Sequence, residues 1–201
     1  AQVAAYAERG YRGVKMRVGL QDRDVDDSAA RVLEARRALG PGVALMVDAH
    51  GTWSTREAQR FARKVESADV AWLEEPVSAD NVTGQAEVRA STDIPIASGE
   101  NEQTRFAFRD LVAARAVDVC QPDVAIAGGI TETQRIAALA AAHELTVAPH
   151  LWGSAILFAA GLHLAVATPC VTLLEFSRGH NPLLNDLVEE RVQLEDGYVL
   201  A

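Results

Sequence analysis

The chain is poor in cysteine, in positive charge and in linker-like sequence, and each shortage narrows what it can be. Only Cys120 and Cys170 are present, both in apolar, strand-like runs where a thiol reads as a small buried hydrophobe, so a cytoplasmic, reducing setting is expected. Against 28 acidic residues stand 19 basic ones, a net charge of −9, which argues against nucleic acid or an anionic membrane as partner because both demand a basic face. An anionic substrate would need local help from a metal, a lysine or an arginine. The cysteine and paired-histidine spacings of a zinc site are missing. So is support for a phosphate-binding barrel: no basic residue closely follows Gly128–Gly129, which reads as a simple loop. No signal peptide is recognisable; "AQVAAYAERG" is an amphipathic helical stretch already carrying Glu8 and Arg9, and the sequence is expected to start partway through a fold. The one long uncharged stretch, "SAILFAAGLHLAVATPCVTLL" at 154–174, is long enough to suggest a membrane helix. Thr168–Pro169 divides it into a buried helix and a β-branched strand, and His163 interrupts the apolar run, so no membrane span is expected.

What is present is a 201-residue chain, 49% hydrophobic, enough for one domain with a sizeable core. Short β-rich runs recur at 13–18, 43–48, 70–74, 94–98, 117–121, 145–149 and 171–175, each starting 23 to 30 residues after the last. Helical patterns are expected between them, at roughly 24–39, 55–67, 82–91, 104–115, 130–143 and 154–167. Ser54 and Thr55 are natural N-caps, Gly10 and Gly40 natural stops. Strand, helix, strand at this spacing predicts parallel pairing, and continuous hydrophobicity predicts strands covered on both faces. The fold class is therefore α/β, a (β/α)8-type TIM barrel; if eight strands are needed, the first lies upstream of Ala1. Residues 188–201 fall outside the period, with strand-like alternation around Asp196–Gly197, and are expected to pack against a part of the protein outside this chain.

In such barrels the functional groups project from the C-terminal ends of the strands, and here those positions are almost all ionisable. They are Lys15 and Arg17, Asp48 and His50, Glu74 and Glu75, Glu100, Asp123, His150 and Glu175. Asp48, Glu74 and Glu100 recur at a strict interval of 26 residues, placing one acid on each of three consecutive strands near one mouth. A divalent cation with oxygen ligands reconciles three such charges, with Mg²⁺ favoured; the competing reading has each acid capping a helix or pairing with an arginine on the rim. Asp123 and His150 come from the next two strands. There the carboxylate would fix the imidazole tautomer and poise the other ring nitrogen as a general base, whereas His143 and His163 on helices read as structural.

Taken in order, "VKMRVG", "VDAH", "WLEEP", "SGEN", "QPDVAIAGG", "PHL" and "LLE" resemble the enolase superfamily, in its mandelate racemase-like branch, over nearly the whole chain. The resemblance implies Mg²⁺ held by Asp48, Glu74 and Glu100, and removal of the proton α to a carboxylate with an ene-diolate intermediate. It also implies that Lys15 neutralises the substrate carboxylate, that Asp123–His150 is the base dyad, and that Glu175 hydrogen-bonds the developing enolate. Glu75 would support the site or the fold. An N-terminal α+β capping domain, absent from this chain, would close the barrel mouth, and assembly into a homo-oligomer is expected.

Two positions depart from the pattern. Racemases of this branch carry a lysine where this chain has Arg17; a guanidinium can orient a carboxylate or hydroxyl but is a poor proton acceptor, which disfavours two-base racemisation. His50 stands where many relatives carry Asn and resembles the Asp-x-His of members that dehydrate sugar acids, where it would protonate a leaving β-hydroxyl; the competing reading has it only hydrogen-bonding substrate or rim. Trp53, Trp72 and Trp152 flank the strand ends and wall a pocket or merely fill the core. The expectation is a Mg²⁺-dependent dehydratase acting on a small-molecule sugar acid. Its rivals are a racemase, epimerase or lactone cycloisomerase, and a non-catalytic barrel.

Overall fold

The computed structural model describes residues 2–189, 192–195 and 197–199. Among the described residues six strands alternate with helices: α1 Gln2–Glu8, β1 Gly13–Arg17, α2 Val25–Leu39, β2 Ala44–Asp48, α3 Thr55–Val65 with a 3-10 turn at Glu66–Ala68, β3 Val70–Glu74, α4 Val82–Arg89 and β4 Ile96–Ser98. They continue as α5 Thr104–Ala113, β5 Val119–Cys120, α6 Ile130–Ala142, β6 Thr146–Val147, α7 Ala155–Val166 and α8 Pro182–Asn185. The chain forms two compact units: one of the residues up to Ala97 with Ala114–Val117 and Glu195–Tyr198, the other of Ser98–Ala113, Asp118–Leu194 and Val199.

In the first unit β1, β2 and β3 pair in parallel in chain order, and Leu73–Glu74 pair with Ile96–Ala97. β2 and β3 are covered on both faces, as continuous hydrophobicity requires: Leu45, Val47, Leu73 and Ile96 are wholly buried with Val32 of α2 and Phe61 of α3, and Met46 and Trp72 at the intervening positions are buried too, whereas β1 buries only Val14. Local chemistry starts and stops the helices. Asp24 accepts from the Asp26 and Asp27 backbone N–H groups to open α2, which ends at Gly40 with φ 71°. Ser54, not Thr55, caps α3, in a reciprocal capping box with Glu57. Asp22, its side chain 4% exposed, holds the loop after β1 by accepting from the Gly19 N–H, Ser28 Oγ and Arg31 Nη1.

The second unit carries the β5–β6 parallel pair, and the Gln121 N–H donates to the Ser98 carbonyl at 2.9 Å. Residues 171–175 correct the sequence expectation, for they form no strand. A single bridge joins Val171 to Val147, and the Val171 N–H closes a turn onto Thr168 O at 3.0 Å, so it is not available to extend a ladder. The apolar run is there for packing: Leu174 and Phe176 lie against the cluster of Leu151, Phe158, Leu162 and Leu184. The preceding uncharged stretch supplies α7, capped by Ser154, and among the described residues no helix is long and apolar enough to cross a membrane. Helix α8, not expected, follows an Asn181 N-cap with Pro182 at its first position. Burial pushes the Cys120 thiol up to about 12, leaving it protonated at neutral pH.

Near the C-terminal end the expected turn is partly in view. Glu195 and Tyr198 exchange two backbone hydrogen bonds of 2.8 Å around Gly197, whose φ is 82°. Val192 and Val199 of the same stretch pack against the cluster beside α7, and residues 190, 191, 196, 200 and 201 lie outside the described residues.

Candidate active site

The first unit gathers its charged groups at the ends of β1, β2 and β3. Arg17, Asp48 and Glu74 are successive register partners across the three strands, which brings two acids side by side at 3% and 0% exposure. Two buried carboxylates at neighbouring positions require positive charge nearby. Arg17 donates from Nε and Nη2 to Asp48 Oδ2 at 3.2 and 2.9 Å, and Lys15 Nζ lies 2.5 Å from Glu74 Oε1. Trp72 Nε1 donates to Glu74 Oε2 at 3.1 Å, a polar contact that the apolar reading of Trp72 missed. Carboxylate oxygens are the donor type Mg²⁺ takes, and here all four of Asp48 and Glu74 are engaged by donors of the protein: Arg17, Lys15, Trp72 and the His50 N–H.

Just beyond the strand ends the backbone turns through left-handed conformations. His50 has φ 49° and Glu75 φ 38°; the His50 N–H donates to Asp48 Oδ1 at 2.8 Å, and the Gly51 N–H to Glu75 O at 2.8 Å. His50 Nδ1 faces Glu75 Oε2 at 3.7 Å, with Glu75 itself 2% exposed.

The second unit holds the other expected residues. His150 Nδ1 lies 2.8 Å from Asp123 Oδ2, and a parallel bridge joins the two backbones. With the carboxylate as acceptor, the hydrogen of that bond is on Nδ1, which sets the tautomer of the ring. Asp123 Oδ1 accepts from the Ala125 N–H at 2.8 Å, which fixes the carboxylate in turn. Nε2 lies 3.7 Å from Glu100 Oε2, on an acid that is 7% exposed and follows Gly99, whose φ is 128°. Glu175, although on no strand, accepts from the Leu151 N–H at 3.0 Å, next to His150. Trp53 is buried and packs at a tilt of 38° against Phe61, 4.5 Å between ring centres, whereas Trp152 is 67% exposed. Gly129 is the N-cap of α6, in keeping with a plain loop before a helix.

Strand-end acids, a carboxylate-bound histidine and parallel α/β units define the class, and the comparison with known proteins agrees. The chain belongs to the enolase C-terminal domain-like family, whose profile matches residues 1–201, and its fold is the TIM-barrel-like one of the mandelate racemase-like branch. It is 31% identical to a D-galactarolactone cycloisomerase of Agrobacterium fabrum over 99% of this chain and 54% of that protein. It is 37% identical to an L-talarate/galactarate dehydratase of Salmonella typhimurium over 94% of this chain and 45% of that protein. An enolase from Bradyrhizobium solved with magnesium and mandelic acid matches at 31% identity and a TM-score of 0.87, over 98% of this chain and 52% of that one. The chain thus spans about half the length of the curated relatives it matches.

Proposed function

We propose that the full protein is a Mg²⁺-dependent hydro-lyase that removes water from a sugar acid to give a 2-keto-3-deoxy acid. The observation that carries this reading is the 2.8 Å contact between His150 Nδ1 and Asp123, which leaves Nε2 to take the proton α to the substrate carboxylate. Asp48, Glu74 and Glu100 hold the ion. Bound there, Mg²⁺ supplies the positive charge that offsets negative charge building on the substrate carboxylate as the α-carbon loses its proton. Lys15 binds that carboxylate, and Arg17 orients it or a neighbouring hydroxyl through fixed N–H donors. His50 returns a proton to the departing β-hydroxyl, so one C–H and one C–O bond break, water leaves, and the enol tautomerises to the ketone. Glu175 hydrogen-bonds the developing enolate. In this reading the barrel works with an N-terminal capping domain, as a homo-oligomer in the cytoplasm.

Support comes from the in-register pair Asp48–Glu74, from the dehydratase of Salmonella typhimurium at 37% identity and from the magnesium in the Bradyrhizobium structure. A second reading, lactone cycloisomerisation with the same base and no loss of water, is favoured by the likeness to the Agrobacterium fabrum cycloisomerase. The full-length protein, loaded with Mg²⁺ in D₂O and offered a library of aldonic and aldaric acids and their lactones, separates the two. Keto-acid formation is expected; deuterium incorporation or lactone rearrangement without loss of water would replace the dehydratase by an isomerase.

A further inference from the structure

We infer that Glu75 is the positioning residue of His50, making with it a second carboxylate–imidazole pair whose role is departure of the β-hydroxyl. The inference rests on the dehydratase reading and adds to it a residue that the sequence suggested only as general support.

Three observations converge. The Glu75 carboxylate is buried, and its Oε2 faces His50 Nδ1 at 3.7 Å, so the ring nitrogen turned away from Glu75 is Nε2. Both residues also sit in left-handed backbone, at φ 49° and 38°, a conformation that side-chain-bearing residues adopt where the surroundings enforce it. Here they do: Asp48 Oδ1 captures the His50 N–H, and the Gly51 N–H is tied to Glu75 O. The main chain therefore ties the His50 turn to the Glu75 turn, and the imidazole and carboxylate face each other at 3.7 Å. For a group that must meet one departing oxygen, a fixed ring direction removes orientational freedom before the reaction starts.

The test is a double-mutant cycle in the full-length Mg²⁺-loaded protein, using Glu75→Gln, His50→Gln and the pair, with dehydration and α-proton exchange in D₂O followed separately. In the parent background Glu75→Gln is expected to slow dehydration about 10–100-fold, and at least tenfold more than it slows exchange. In the His50→Gln background the same change costs less than twofold, since Glu75 acts through the imidazole. Equal losses in both backgrounds, or equal losses of exchange and dehydration, overturn the inference. Crystal structures give a readout apart from activity: the His50 ring is expected to leave its position in Glu75→Gln and to keep it in Glu75→Asp, and an unmoved ring in Glu75→Gln overturns the pairing. A parent protein that neither exchanges nor dehydrates removes the proposed function, and this inference with it. A parent that does both while Glu75→Gln matches it removes only the role of Glu75.

Discussion

Asp123 and His150 meet twice, through a side-chain contact of 2.8 Å and through a bridge between their backbones. The imidazole is thus aimed by β-pairing as well as by its hydrogen bond. Asp123→Asn keeps the shape but offers an amide that can turn its NH₂ toward Nδ1 and favour the other tautomer. We expect kcat to fall roughly 10²–10⁴-fold with a much smaller change in KM, measured by steady-state turnover and by loss of α-proton exchange.

Metal dependence follows from the buried acids. Mg²⁺ at about 100 times its Kd should stabilise the full-length protein by about 2.7 kcal/mol, read as a rise in melting temperature. Glu74→Gln should abolish that rise and the calorimetric binding signal. Stabilisation that persists in the variant would place the ion elsewhere.

Acid sensitivity should concentrate at the loop after β1. Burial by itself would raise the Asp22 pKa, but hydrogen bonds from Ser28, Arg31 and the Gly19 N–H outweigh it and leave the pKa lowered. A lowered carboxylate stabilises the fold fully above its unfolded pKa, near 4, and loses that contribution as pH falls through the folded value. Asp22→Asn should therefore cost about 1–3 kcal/mol at pH 7, by urea unfolding, with the gap to the parent closing below about pH 4.

Gly99 tests the placement of Glu100. Its φ is 128°, and a Cβ there would lie 2.6 Å from Phe108 Cε1. Gly99→Ala should lower stability by about 1–3 kcal/mol and weaken Mg²⁺ binding, because relief must shift the buried Phe108 ring or the turn that carries the acid, and the φ of 128° strains a side chain in either case. Binding calorimetry and thermal melts check both halves.

The sequence disclosed the elements whose causes are local and periodic. Ser54 and Glu57 announce α3 three residues apart, and the spacing of acids at 48 and 74 anticipates their register pairing. It failed where packing stood in for pairing: "VTLLE" has strand composition, yet its leucines serve a hydrophobic cluster beside α7. Helix α8 was legible in principle, since Asn181–Pro182 is a cap followed by proline. The left-handed turns at His50 and Glu75 were not. A sequence shows positive φ through glycine, and at these two positions tertiary contacts impose it on residues that ordinarily avoid it.

The abutting acids that close β2 and β3 also bear on engineering. Replacing both ion pairs together, Asp48 with Arg17 and Glu74 with Lys15, by apolar residues of similar size removes the desolvation cost of four charges without stranding any of them, so it should harden the scaffold against heat. The hardened variant would have surrendered its chemistry. A thermostability screen run without an activity selection is therefore at risk of enriching inert proteins from this chain.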